Sequence, residues 1–297
     1  MTLNVHPGLP EFEYIRPENL DEASQFLASH VGESRPLLGG TDIFVRMRDG
    51  IWQDKYLVDV KSLPGMNEIS FDPSAGLSIG AAVNMNRVAA FPAVKEKYAV
   101  LAEAAASCAS YQLRTRATVV GNICNASPAG DTIGACLLLD GILNIHGVDG
   151  FRQEPLAFFF LGPGKTRLKA GDIVTSIHFP LPPHGMVGHY LKLGRNRLSD
   201  LSIVGVTVVG FPDKSLPSGI RIRLALASVA PVPLVVESVE KILSERTITE
   251  ETIAEAALAA MSACNPIDDV RGSARYRRQM VRNLSARALT EVWKKLK

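Results

Sequence analysis

At 297 residues the chain has room for about two domains of ~150 residues each. Hydrophobic residues make up 46% and charged residues 21%, which excludes disorder for the bulk of the chain, because disordered chains are apolar-poor and strongly charged. Lys+Arg 32 against Asp+Glu 30 leaves a formal charge of +2, too small for a whole-protein field that would attract nucleic acid or anionic lipid.

The start, Met-Thr-Leu-Asn-Val-His-Pro, has neither a basic nor an apolar leader region, so no export signal is expected and the cytoplasm is the default compartment. No apolar run reaches the ~18–20 residues of a spanning helix. Asn19 with Glu22 three residues on reads as a capping box, followed by an apolar face of Leu20, Ala23, Phe26 and Leu27 and a stop at Gly32. Residues 35–38 read as a strand that runs into the loop Gly39-Gly40-Thr41-Asp42, a helix over 43–48 and a strand over 56–60. Leu77, Ile79, Ala81 and Val83 alternate as in a half-buried strand. Residues 98–109 are Ala-rich and helical.

The stretch from Tyr111 to Asp131 shows little periodicity and reads as a long loop, which in a compact domain is usually functional. A short helix over 133–139 and strands over 142–146 and 173–179 follow. Pro180-Leu-Pro-Pro-His-Gly185 reads as a linker or sharp turn. Strand candidates at 189–194, 203–211 and 220–229 and helices near 236–244, 250–262 and 273–295 suggest a small α+β unit. Within the last helix, Tyr276, Met280 and Leu284 are expected to face the core. Its surroundings, 271–297, hold nine Lys/Arg and one Glu, and read as a solvated or partner-facing surface.

Cys108, Cys124, Cys136 and Cys264 form no C-x-x-C or C-x-x-x-x-C, so the chain itself is not expected to hold zinc or an iron–sulfur cluster, and the thiols read as buried apolar groups. His6, His30, His146, His178, His184 and His189 show no metal-ligand spacing. Paired glycines after a strand permit close backbone approach and a nest of N–H groups for an anion, or make a simple turn. Gly121, Asn122, Ser127 and Gly130 offer a second open, polar backbone. Asp131 could cap the following helix or accept hydrogen bonds from a ribose. Neither loop is G-x-G-x-x-G or G-x-x-x-x-G-K-[ST], so neither a Rossmann fold nor a P-loop is supported. Arg195 and Arg197 could steer an anionic acceptor or pair with Asp200.

Taken together, Leu37-Leu-Gly-Gly-Thr-Asp42, Gln112-Leu-Arg-Thr-Arg-Ala-Thr-Val-Val-Gly-Asn-Ile123 and Ala126-Ser-Pro-Ala-Gly-Asp131 resemble the FAD-binding subunit of molybdenum hydroxylases, of the xanthine dehydrogenase and carbon monoxide dehydrogenase types. Phe160-Leu-Gly-Pro-Gly-Lys-Thr166, Gly171-Asp-Ile-Val174, Leu193-Gly-Arg-Asn-Arg-Leu-Ser-Asp-Leu201 and Asp269-Val-Arg-Gly-Ser-Ala-Arg-Tyr-Arg-Arg278 fit the same family. The resemblance implies an α+β chain with an FAD fold of the vanillyl-alcohol-oxidase/para-cresol-methylhydroxylase type. Two α/β subdomains would occupy residues 1–61 and 62–180. A C-terminal domain with a three-stranded antiparallel sheet and a helix bundle would occupy 181–297.

By the same resemblance, FAD is bound non-covalently. Contacts are implied for Arg35, Pro36, Leu37, Leu38, Gly39, Gly40, Thr41, Asp42 and Ile43, and for Thr118, Gly121, Asn122, Asn125 and Ser127. Asp131 would contact the adenosine end, and Ile173 and Lys192 would lie near the flavin. Val120 departs from the family's Gly-Gly-Asn; since valine disfavours positive φ, that position is expected to be extended or the loop re-routed.

The implied role is electron transfer. A small subunit would carry two [2Fe–2S] clusters and a large subunit the molybdenum cofactor, in a dimer of heterotrimers. Electrons would leave through FAD to NAD⁺ or a quinone-type acceptor. No nucleophile or acid/base pair is expected in this chain. The alternatives are a free-standing flavin oxidase or dehydrogenase of the same fold and an assembly subunit that has lost FAD.

Overall fold

Three sheets of three to five strands follow one another along the chain, besides one two-stranded hairpin, and the computed structural model describes residues 8–196 and 199–297. The first sheet is wholly parallel, with β1 (Glu13–Ile15) and β2 (Ser34–Leu37) flanking the central β3 (Tyr56–Asp59). Parallel neighbours need a crossover, and α1 (Leu20–Ser29) and α2 (Ile43–Arg48) supply the two connections. Asn19 caps α1 by accepting from the Glu22 N–H at 2.9 Å. Glu22 answers to the N–H of Glu18 rather than to that of the cap, so the reciprocal box is displaced by one residue. Gly32 lies two residues beyond the His30 cap, with φ +79°.

The second sheet is antiparallel. It begins with β4 (Ile69–Asp72) and β5 (Gly76–Gly80), and then six helices intervene: α3 (Met85–Ala90), α4 (Pro92–Lys97), α5 (Ala99–Ser107), α6 (Tyr111–Arg114), α7 (Val119–Asn125) and α8 (Ile133–Leu138). The chain returns through β6 (Ile142–Gly147) and β7 (Gly150–Pro155), makes a small hairpin of β8 (Phe160–Gly162) and β9 (Lys165–Thr166), and enters β10 (Ile173–Phe179). The sheet order is β4-β5-β10-β6-β7. Leu77, Ile79, Leu143, Ile145, Ile177 and Phe179 from its central strands are wholly buried.

The third sheet is β11 (Val187–Leu193), β12 (Val204–Pro212), β13 (Ile220–Ala227) and β14 (Leu234–Val235), antiparallel in that order. It has one strand more than expected, a two-residue edge too short for a periodic signal. The helices α9 (Glu237–Glu245), α10 (Glu250–Ala263) and α11 (Ala274–Leu296) close the chain, with α9 and α11 packed on this sheet. Helices α5 and α8 pack on it as well. Coverage on both sides explains why β12 is buried without a break from Val204 to Gly210 instead of alternating.

Three expectations change at this level. The stretch 111–131 is not one long loop, because α6 and α7 lie within it. Val120 is in α7 and only 1% exposed, so its side chain packs in the core and no positive φ is required of it. The fully buried residues of α11 are Arg277, Val281, Ser285, Ala288, Leu289 and Val292; of the stripe expected, Met280 and Leu284 pack partly buried against this core, whereas Tyr276 is exposed. Arg277 is buried where Tyr276 was expected. Its guanidinium donates to the carbonyls of Ile203 (2.9 Å) and Ser228 (3.0 Å) and to Asp269 (2.6 Å). Burial pushes the Asp269 carboxyl up, but its hydrogen bonds from Arg271 and Arg277 prevail and hold it well below the usual carboxylate range. No helix among the described residues is long and apolar enough to cross a membrane.

Candidate functional site

A cavity of about 640 Å³ opens where the β2–α2 loop of the first sheet faces α7, the start of α8 and the start of β10. This size is within the ~300–1,000 Å³ of ligand sites. Arg35, Pro36, Leu38, Gly39, Gly40, Thr41, Asp42 and Ile43 line one wall. Thr118, Gly121, Asn122, Asn125, Ser127 and Asp131 line the other, with Ile173 beside them. Residues about eighty positions apart in sequence are thus brought to one cleft.

Two expected residues are not in the lining. Leu37 follows the alternation of its strand and points away, into a small core with Met47 and Leu57. Lys192 lies behind Asp131, its Nζ 2.8 Å from the carboxylate and 3.2 Å from the Ser107 carbonyl. Asp131 and Lys192, for which the resemblance implied different ends of the cofactor, therefore meet at one point.

The first wall is shaped by its glycines. A Cβ on Gly39 would lie 2.1 Å from the carbonyl oxygen of Arg116, so only glycine lets the two walls approach this closely. Gly40 has φ +74°, a conformation that L side chains adopt at a cost. Among the described residues, the N–H groups of Gly39, Gly40, Thr41 and Asp42 donate to no acceptor of the chain. A row of unused donors at a cavity wall fits an anionic group such as a pyrophosphate. Arg35 is held beside them by Asp54 (2.8 Å) and by stacking on Trp52, 3.7 Å from the ring centroid.

The second wall is braced from behind. Thr118 caps α7 by accepting from the Gly121 N–H at 2.9 Å, and Ala126, with φ +47°, ends that helix. Thr132 donates to the Asn122 side-chain oxygen at 2.9 Å, tying α7 to α8. Asp131 does not cap α8; its carboxylate accepts from the Tyr190 hydroxyl at 2.7 Å and pairs with Lys192. Tyr190 and Lys192 are two apart on β11, so they share one face of that strand. Burial pushes the Asp131 carboxyl above its ordinary value, against the opposing charge and hydrogen bond of Lys192. Burial, and then Asp131 itself, push the Tyr190 hydroxyl well above its ordinary value.

Several lining residues carried no signal in sequence. Trp52 and Lys169 belong to no motif. Cys108 and Cys124 also line the cavity and are half-buried, whereas Cys136 and Cys264 are fully buried. Burial pushes both Cys108 and Cys124 up to about 12, so they stand in the cleft as neutral thiols. Arg195 pairs with Asp200, and Asp200 lines the cavity mouth, its carboxyl lowered to about 2 by hydrogen bonds from Arg195. Arg197 lies outside the described residues.

A parallel α/β unit, an antiparallel unit and a glycine-walled cleft between them define a protein that binds an extended nucleotide. The family described as the FAD binding domain in molybdopterin dehydrogenase matches residues 10–182, and the CO dehydrogenase flavoprotein C-terminal domain matches residues 189–292. The chain is 31% identical to the carbon monoxide dehydrogenase medium chain of Hydrogenophaga pseudoflava, over 96% of this chain and 98% of the relative. It is 29% identical to the glyceraldehyde dehydrogenase medium chain of Sulfolobus acidocaldarius, over 95% of this chain and 99% of the relative. Among solved structures, carbon monoxide dehydrogenase from Hydrogenophaga pseudoflava lacking the Mo-pyranopterin moiety superposes with a TM-score of 0.92 at 31% identity, covering 97% of this chain and 99% of that one. The chain belongs to the FAD-binding medium subunits of the molybdenum hydroxylases, and is an oxidoreductase subunit.

Proposed function

We propose that this subunit is the electron exit of its complex, taking electrons from [2Fe–2S] clusters of a small partner subunit and passing them through FAD to NAD⁺ or a quinone-type acceptor. The substrate would be hydroxylated at the molybdenum cofactor of a large subunit, with the three chains assembled as a dimer of heterotrimers. The reading includes a division of the chain at residues 61 and 180, supported by the closure of each sheet within one of the resulting units.

The observation that carries the cofactor's placement is the row of unused N–H groups from Gly39 to Asp42, across the cavity from Thr118, Gly121 and Asn122. Those groups would hold the pyrophosphate, and Arg35, Pro36, Leu38 and Ile43 would border it. Asn122, Asn125 and Ser127 offer polar atoms from the other wall. Ile173 provides an apolar contact for a ring. Asp131 accepts hydrogen bonds from the cofactor's hydroxyls, while Lys192 and Tyr190 hold its carboxylate in place. When bound, the flavin supplies the redox chemistry, and the chain supplies position and electrostatics. Cys108 and Cys124, held as neutral thiols, present no thiolate to it.

Purified complex tests the direction of flow. With the subunit present, substrate-reduced complex is expected to reduce NAD⁺ or a quinone. Complex stripped of the subunit is expected to lose that activity but still hydroxylate substrate with an artificial dye. Acceptor reduction that survives removal of the subunit would contradict the reading.

A further inference from the structure

A second cavity, of about 590 Å³, shares Leu38, Gly39 and Thr118 with the first but is otherwise lined by different residues. It is bounded by the segment from Lys61 to Glu68, by Asn84 and Arg87 at the start of α3, and by Thr115 and Arg116. Three cations line it against the single carboxylate of Glu68. Lys61 is already engaged, 2.7 Å from Asp59 and 2.6 Å from the Tyr14 hydroxyl. The two arginines are not. Arg87 has no carboxylate partner among the described residues, and its Nη1 is anchored by the carbonyl (3.2 Å) and side-chain oxygen (2.5 Å) of Asn67. The Arg116 guanidinium makes neither a hydrogen bond nor an ion pair with any described residue. Among the described residues, these two arginines therefore face one concavity without a carboxylate partner.

Forked guanidiniums at a cavity favour planar or tetrahedral oxyanions, which they can bind in bidentate fashion. The volume exceeds what a lone phosphate fills and suits a ligand of nucleotide size. We propose that this cavity is a second site, distinct from the flavin cleft, that binds a nucleoside phosphate through Arg87 and Arg116. The shared chemistry is a phosphate on a nucleoside, whether free or as one half of a dinucleotide. The Arg116 carbonyl is the atom that packs against Gly39, so a ligand held by the Arg116 side chain also steadies the wall of the flavin cleft.

Calorimetric titration of the full-length, FAD-loaded chain with ADP, NAD⁺ and adenosine tests this. ADP is expected to bind, adenosine to bind at least tenfold more weakly, and Arg87→Gln with Arg116→Gln to weaken ADP at least tenfold while flavin content stays unchanged. Glu68→Gln is expected to tighten ADP, a change of opposite sign that a folding defect would not produce. Binding of NAD⁺ as well as ADP, both weakened in the double variant, identifies a dinucleotide as the source, and binding of ADP alone a free mononucleotide; both support the site. No ADP binding at millimolar concentration, equal binding of adenosine, or equal binding by the double variant would overturn it. A chain that takes up no flavin would fail the cofactor reading instead, and the difference between parent and double variant would still report on this cavity.

Discussion

Lys192→Met is expected to destabilise the chain by about 3–5 kcal/mol at pH 8, because it leaves the Asp131 carboxylate buried without its counter-charge. Both partners are well covered, with side chains 13% and 5% exposed, so solvent does little to screen the loss. The Tyr190 hydroxyl would remain as a donor but brings no charge. Asp131→Asn together with Lys192→Met should recover much of the stability, since it removes both charges. The pH dependence has a definite sign. With Lys192 gone, the carboxyl's folded value rises further above its unfolded value of about 3.9, so the folded state prefers the neutral acid. The deficit is therefore smallest below about pH 4 and grows as pH rises toward the folded value. Chemical denaturation of parent, single and double variants between pH 4 and 8 measures it. A Lys192→Met variant as stable as the parent at pH 8 would show that the pair does not brace this wall.

Gly39→Val is expected to weaken FAD binding about tenfold to a hundredfold, with the secondary structure retained. The clash is with backbone: the Arg116 carbonyl oxygen lies 2.1 Å from the Cβ position, so no rotamer relieves it. The walls must separate, and overpacking of this kind costs about 1–3 kcal/mol, equivalent to that range in affinity. Gly162→Ala is a suitable control, since like Gly39 it is not at positive φ, but it has open space around its Cβ position and lies outside both loops. Flavin fluorescence during titration with FAD reads the affinity, and circular dichroism reads the fold. Equal affinity in Gly39→Val and parent would mean that the closeness of the two walls is not what holds the ligand.

What was legible in sequence was whatever local chemistry marks. The helix over 43–48 and the strand over 173–179 were placed to the residue, because turn residues and apolar runs bound them. The glycine pair marked the first wall for the same reason. The 111–131 segment was misread because α6 and α7 have four and seven residues, about one and two turns, too few to display a period of 3.6. In α11 Met280 and Leu284 were read as core-facing and are, whereas Tyr276 is exposed and the neighbouring Arg277 is buried instead, because hydrophobicity alone treats a charge as solvated. Lys192 was identified by resemblance as a cofactor contact, but its partner Asp131 lies 61 residues away on another unit. No local pattern reports such a pair. Leu37 stands outside the cavity lining for a simpler reason: a strand residue within a binding motif still obeys alternation, and its side chain belongs to the opposite face.

FAD is expected to occupy the cleft between Gly39–Asp42 and Thr118–Asn122. The most direct measurement is to incubate the purified full-length chain with excess FAD, remove the free cofactor by gel filtration, and record the visible spectrum before and after acid precipitation. The account predicts one flavin per chain, released intact into the supernatant by acid. A colourless chain that retains no FAD, or a flavin that stays with the precipitate, would contradict it.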